Sequence, residues 1–260
     1  MKHLCLDGET IVLRRMRAVT ERDSGRRGVP AVVLDTETTG LHRDTDTVIE
    51  VGIRPFEFDE DTGEILAVRP ALVALQDPGA PLSPEIAALT GLTDADLAGK
   101  AIDWRQVGAL LDTASIIVAH NAAFDRPFVD RACLAGARLA ANHADGRKPM
   151  ESQRIWACSA SQLAWDAPSR SQEVLCAWHG FFCLEGHRAL SDADSLLHLL
   201  ETSRRLPELY RTARAPSFRL RALGAPFDKK DLLKGRGYRW DVPERCWWTD
   251  LPDDAASQAE

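Results

Sequence analysis

A run of apolar residues, Ala31-Val32-Val33-Leu34, passes without a break into Asp35-Thr36-Glu37-Thr38-Thr39-Gly40. A segment this apolar reads as a buried strand, and a strand that is buried and then abruptly acidic must end at an exposed edge of its sheet. Alternate side chains of a strand share a face, so Asp35 and Glu37 project together. Two adjacent carboxylates repel, and need either a shared proton or a divalent cation. Oxygen ligands of this hardness suit Mg²⁺ or Mn²⁺.

The segments that follow fit one architecture. TVIEVGIRPFEF and EILAVRPALVAL read as strands parted by the turn DEDTG, giving a meander with the first strand. PLSPEIAALTGL and DWRQVGALLDTA have helical apolar spacing, SIIVAH is a short strand, and NAAFDRPFVDRACLAGARLA is a helix. An edge strand is expected near Gln153–Cys158, and SRSQEVLCAWHGF and HRALSDADSLLHLLETSRR are the last two helices. Strands first, then strands alternating with helices, predict an α/β sheet with helices packed on it.

Two further segments carry acids to a strand end or helix start. His120-Asn121-Ala122-Ala123-Phe124-Asp125 follows the SIIV strand, and His187-Arg188-Ala189-Leu190-Ser191-Asp192 opens another helix. Each is weak alone, since Asn121 and Asp125 could merely cap and charge a helix N-terminus. Asp194 rivals Asp192. Both lie about equally far from the centre of the apolar face Ala189, Leu190, Ala193, Leu196, Leu197 and Leu200, so periodicity does not choose between them. Asp130 reads as a solvated helix residue.

Taken in order, DTETTG, HNAAFD and HRALSD, with its H-x4-D spacing, resemble the three motifs of the DnaQ-like DEDDh 3′→5′ exonucleases, from about Ala31 to Arg205. The resemblance implies an RNase H-like mixed five-stranded sheet flanked by helices. It implies Asp35, Glu37, Asp125 and Asp192 as ligands of two divalent cations, Mg²⁺ or Mn²⁺, and His187 as the general base. It selects Asp192 over Asp194. It also places Thr38, Thr39, Gly40, Leu41, His120 and Phe124 at the terminal nucleotide, although Leu41 and Phe124 equally suit a core. The implied function is hydrolysis of DNA, as single strands or 3′ ends, to mononucleotides. The alternatives are an exoribonuclease or a catalytically silent nucleic-acid-binding module, because the motifs do not separate DNA from RNA. A polymerase or other replication or repair partner is not readable. WACSASQLAW departs from the family pattern, and its tryptophans, with Trp178, read as core or groove.

The domain plan is an N-terminal extension over 1–29 with one possible strand at Thr10–Leu13, an exonuclease domain over 30–206, a short linker containing TARAPS, a small α+β module over 217–251 and a disordered tail over 252–260. The module reads as strand, helix, strand and strand. Between Ser217 and Trp248 it has eight basic and four acidic side chains, a local +4 in a chain of net charge −7, which leaves −11 elsewhere. Lys229, Lys230, Arg239, Trp240, Trp247 and Trp248 suit a single nucleic-acid strand, with bases on rings and phosphates on cations. The same tryptophans equally suit the core of a tiny domain.

The charge is not that of a typical nonspecific coater of nucleic acid, which is basic, and it is compatible with a nuclease that holds metal ions on carboxylates. No apolar run approaches the roughly 18 residues of a membrane helix. The N-terminus lacks a signal peptide's apolar stretch, which makes the cytoplasm the expected compartment and the six cysteines reduced thiols. Cys176, His179, Cys183 and His187 do not match a zinc-finger spacing and read as an amphipathic helix running into a turn.

Overall fold

The computed structural model describes residues 2–6, 9–141, 154–183, 186–236, 238–241 and 244–252. The chain divides into two compact units, Met1–Ala213 and Arg214–Glu260.

In chain order the first unit has β1 (Lys2–Leu6), β2 (Glu9–Arg15), β3 (Arg22–Asp23), β4 (Val29–Thr38), β5 (Val48–Phe58), β6 (Ile65–Val68), β7 (Leu72–Leu75), α1 (Pro84–Thr90), α2 (Asp94–Leu97), α3 (Trp104–Leu111), β8 (Ile116–Ala119), α4 (Ala122–Ala141), β9 (Trp156–Cys158), α5 (Ser159–Gln162), α6 (Gln172–Trp178), β10 (Phe181–Phe182), α7 (Ala189–Ser203) and α8 (Leu206–Arg214). The main sheet runs β3-β6-β5-β4-β8-β9, with β7 also on β5. β4 is antiparallel to β5 and parallel to β8, and β8 is parallel to β9. This is the mixed sheet flanked by helices that the sequence predicts.

β4 has a fully apolar run because both its faces are covered. Ala31 and Val33 pack with Ala193, Leu196, Leu197 and Leu200 of α7, and Val32 and Leu34 pack with Val107 and Leu111 of α3 and Phe128 and Val129 of α4. Burial of each such Val or Leu contributes about 1.5–3 kcal/mol relative to exposure.

The sheet has seven strands where the resemblance implies five. EILAVRPALVAL is split into β6 and β7 around Pro70, which has no N–H to give to a ladder. The eleven residues of β5 are long enough to pair with both pieces, Phe56–Phe58 with β6 and Glu50–Ile53 with β7. The stretch 1–29 also holds more structure than one strand. β1 and β2 form an antiparallel pair, β2 is parallel to β10, and β3 borders β6. The segment expected as a linker after Leu206 is helix α8, with Leu206 and Leu209 buried and Tyr210 and Ala213 against the same core. These four residues recur at helical spacing, a signal the turn-like TARAPS sequence obscured. No helix among the described residues is long and apolar enough to cross a membrane.

The second unit comprises β11 (Ser217–Ala222), a 3₁₀ turn over Phe227–Lys229, α9 (Lys230–Gly235), β12 (Arg239–Asp241) and β13 (Cys246–Pro252), in an antiparallel sheet of order β11-β13-β12. Gln153, and the part of the expected tail from 253 onward, lie outside the described residues.

Candidate active site at the end of the central strand

The alternation of β4 places the acids. Since Ala31 and Val33 face α7, Asp35 and Glu37 leave on that side, while Thr36 turns toward α4. Asp192, in the first turn of α7, meets the pair. One carboxylate oxygen from each of Asp35, Glu37 and Asp192 lies within 4.8 Å of the others. Asp125 comes from the first turn of α4 on the opposite side and is not one of this trio. It is 3% exposed, and its Oδ1 accepts a hydrogen bond from the Thr36 hydroxyl at 2.8 Å.

Burial drives the Asp35 carboxyl well above the usual carboxylate range, and the charges of Asp125, Asp192, Glu37 and Glu50 push it further. Burial, then Asp192, Glu50 and Asp125, push Glu37 up to about 7, with Arg188 pulling the other way. Burial pushes Asp125 up to about 6 against the Thr36 hydrogen bond. Asp192 is raised by burial, opposed by the backbone N–H of His187, which donates to its Oδ2 at 2.8 Å. Buried and half-buried carboxylates that resist ionising together fit divalent cations, the ligand type that offsets several negative charges at once.

His187 is exposed and stands at φ 62°, a left-handed conformation uncommon for a residue with a side chain. The bond from its N–H to Asp192 holds it there. Asp194, the rival of Asp192, lies elsewhere: it is 8% exposed and receives Arg54 Nε at 2.8 Å and Nη2 at 2.9 Å. Asp130 pairs with Arg126 at 3.2 Å.

Beyond Glu37 the chain forms a tight loop. The Thr38 hydroxyl donates to the Gly40 carbonyl at 2.6 Å, and the Thr39 hydroxyl donates to Asp46 at 3.1 Å and accepts the Thr47 N–H at 3.1 Å. A Cβ at Gly40 would fall 2.6–2.9 Å from the Asp46 carboxylate, so any side chain there would have to displace Asp46 from its bond with Thr39. Leu41 is 81% exposed on this loop, while Phe124 is half-buried with its ring 5.2 Å from that of Phe128. Both ring nitrogens of His120 are engaged inside the protein, Nδ1 with the Ser159 hydroxyl at 2.9 Å and Nε2 with the Arg170 carbonyl at 2.7 Å. A carbonyl only accepts, so Nε2 carries the hydrogen. Burial lowers its pKa. The sequence reading passed over Glu50 and Arg188, which border the acid group. The one available signal was an acid inside the apolar run TVIEVGI.

In the second unit the ladder separates the tryptophans. Trp240 is opposite Trp247, and Arg239 is opposite Trp248 on the other face. Trp247 is buried and meets the half-exposed Trp240 edge-on, with centroids 5.5 Å apart. Trp248 is covered by the Arg219 guanidinium 4.2 Å from its ring, with that of Arg239 at 5.8 Å. Lys229 is exposed and Lys230 half-buried.

The Exonuclease family model (RNase_T) matches residues 32–200. Ribonuclease T of Shewanella sp. (strain ANA-3) is 32% identical over 120 residues, 41% of this chain and 53% of that protein. Ribonuclease T of Shewanella frigidimarina is 33% identical over 119 residues, with the same coverage. The chain thus spans about half the length of the curated relatives it matches. Among solved structures, the zinc-bound complex of E. coli exonuclease I with single-stranded DNA superposes with a TM-score of 0.52 at 14% identity, covering 70% of this chain and 42% of that one. This likeness reports the shared fold.

Proposed function

We propose, because the chain belongs to the DnaQ-like exonuclease family, that it is a metal-dependent 3′→5′ exonuclease that hydrolyses DNA, as single strands or 3′ ends, to mononucleotides. The observation that carries this reading is the convergence of Asp35, Glu37 and Asp192 at the end of the central strand, beside an exposed histidine. These three, with Asp125 behind them, would hold two divalent cations, Mg²⁺ or Mn²⁺. When bound, such cations activate the attacking water and neutralise charge on the scissile phosphate and leaving oxygen. His187 acts as general base, imidazole being the side chain that most often takes the proton from an attacking group. The Asp192–His187 bond keeps the loop that carries this base against the acids. Thr38, Thr39, Gly40 and Leu41 form the loop that receives the terminal nucleotide, where the bare Leu41 side chain offers an apolar surface to a base or sugar, and the Phe124 ring at the start of α4 offers a second one. Lys229, Lys230, Arg239 and Trp240 of the second unit grip the strand.

One observation favours RNA as a second substrate reading: the curated relatives quoted above carry the name ribonuclease T. The deciding experiment is degradation of matched 3′-labelled and internally labelled DNA and RNA oligomers in Mg²⁺ or Mn²⁺. Release of the 3′ mononucleotide first is expected, with DNA consumed faster. Faster loss of RNA would transfer the reading to an exoribonuclease. Internal fragments appearing before mononucleotides would refute exonucleolytic action, and strand binding without any cleavage would leave a binding module.

A further inference from the structure

Glu50 stands directly opposite Glu37 in the β4–β5 ladder, so the two carboxylates leave the sheet on one side. Like charges across a ladder repel, and Glu50 is 1% exposed, so it needs a partner. That partner is Arg188. Glu50 Oε1 accepts from Arg188 Nη2 at 2.8 Å and Nε at 3.2 Å, and Oε2 accepts from Nε at 3.1 Å. Oε2 also accepts the backbone N–H of Ala189 at 3.1 Å. Ala189 begins α7, and the first N–H groups of a helix have no partner inside it. The cap of α7 is therefore supplied from a neighbouring strand.

Two residues along β5, on the same side, is Gly52. A Cβ there would fall 2.2–2.6 Å from backbone atoms of Ala189 and Leu190, so the first turn of α7 rests on bare strand backbone. Glu50 and Gly52 together fix where the segment carrying His187 and Asp192 meets the central strands.

We propose that Glu50 is a positioning residue: it tethers the Arg188 guanidinium beside the Asp35–Glu37–Asp192 group but out of it, and pins the first turn of α7 that carries Asp192. The proposal rests on reading that group as the metal-binding active site. Arg188 is about half exposed, at 46% of its side chain, and is next in sequence to His187. A guanidinium free to move there would form a forked pair with one of the three carboxylates, taking the oxygens a cation needs. Bound through Nε and Nη2 to Glu50, it supplies positive charge to the acidic edge without occupying it.

The test is made in the full chain. Glu50→Gln keeps an oxygen for the Ala189 N–H and removes the charge that holds Arg188. The metal concentration giving half-maximal nucleotide release from a short oligomer is expected to rise by about tenfold, the scale of one charge-assisted hydrogen bond. Turnover at saturating metal is expected to stay within a few-fold of wild type. Adding Arg188→Gln should return the metal requirement toward wild type, since the competing guanidinium is gone. Mn²⁺ binding followed by electron paramagnetic resonance should show the same order without any turnover. It also separates the two readings: a wild-type chain that binds Mn²⁺ but releases no nucleotide refutes the exonuclease, while the order among variants still judges the tether. If Glu50→Gln does not fold, Arg188→Lys, which keeps the charge but loses the fork, is expected to shift Mn²⁺ binding several-fold in the same direction. Unshifted Mn²⁺ binding in these variants, or a double variant as impaired as Glu50→Gln, would overturn the proposal and leave Glu50 as a packing element.

Discussion

Two aspartates on α7, two residues apart, end in opposite surroundings. Asp194 is buried and faces Arg54, which binds both its oxygens. Asp192 faces Asp35 and Glu37, and its carboxylate accepts a neutral backbone N–H, that of His187. The strand beneath decides the difference, for Glu50, Gly52 and Arg54 alternate along one side of β5 and set in turn a cap, a close approach and a counter-charge under the same helix. A buried charge with its partner is part of the fold. Charges gathered against like charges hold repulsion that a ligand from outside can relieve.

That contrast can be broken by substitution. The largest expected effect is on the repelling side: Asp35→Ala or Asp192→Ala should bring nucleotide release in saturating Mg²⁺ below detection, while the thermal midpoint in chelator is unchanged or raised, because removing one of several repelling carboxylates relieves the rest. Wild-type turnover in either variant would end the ligand assignment. Next, His187→Ala should slow the chemical step by about 10²–10⁴-fold in single-turnover assays. A loss confined to strand affinity, measured in Ca²⁺, would make His187 a binding residue instead.

The paired side should respond the other way. Asp194→Ala leaves Arg54 buried without its carboxylate, which costs about 3–5 kcal/mol. Denaturant titration should show that loss, with activity retained by the molecules that remain folded. An Asp194→Ala protein as stable as Asp192→Ala would erase the contrast.

Proton linkage sharpens the contrast further. In chelator the folded chain holds a proton on Glu37 up to about pH 7, whereas an unfolded glutamate releases it near its ordinary value, about 4.3. Between those values the folded state binds more protons, so stability should fall as pH rises through that window, by on the order of 3–4 kcal/mol. Asp125, pushed up to about 6, adds a loss of the same sign at lower pH. Saturating Mn²⁺ should flatten the slope, and thermal melts from pH 4.5 to 7.5 with and without metal measure it. An equal slope in both conditions would mean that these carboxylates do not hold the cation.

The smallest effects separate the two tryptophans that share one face of the C-terminal sheet, one half-exposed and one buried. Trp240→Ala should weaken binding of long strands by about 1–3 kcal/mol if a base stacks there, without changing the melt. Trp247→Ala, which removes a buried ring, should lower the melt. Deleting residues 217–260 should reduce affinity for long strands and leave cleavage of short ones. Affinities equal at every length would end the grip reading.

The sequence by itself determined the α/β class, the strand that delivers Asp35 and Glu37 on one face, and the helix starts that deliver Asp125 and Asp192. All of these rest on periods of two or 3.6 residues and on motifs contained within a few positions. Periodicity left Asp192 and Asp194 equivalent, since both flank the apolar stripe of α7 symmetrically. The motif resemblance favoured Asp192, and the tertiary structure gave the two their different surroundings, setting Arg54, 140 residues earlier, under one and the acids of β4 beside the other. It likewise assigned both nitrogens of His120 to Ser159 and Arg170, split the second strand of the meander along β5, and sorted Trp240 and Trp247 from Trp248. The physical reason is common to these cases. Local spacing fixes the side of an element from which a side chain leaves, whereas its partner is fixed by the register of another element distant in the chain.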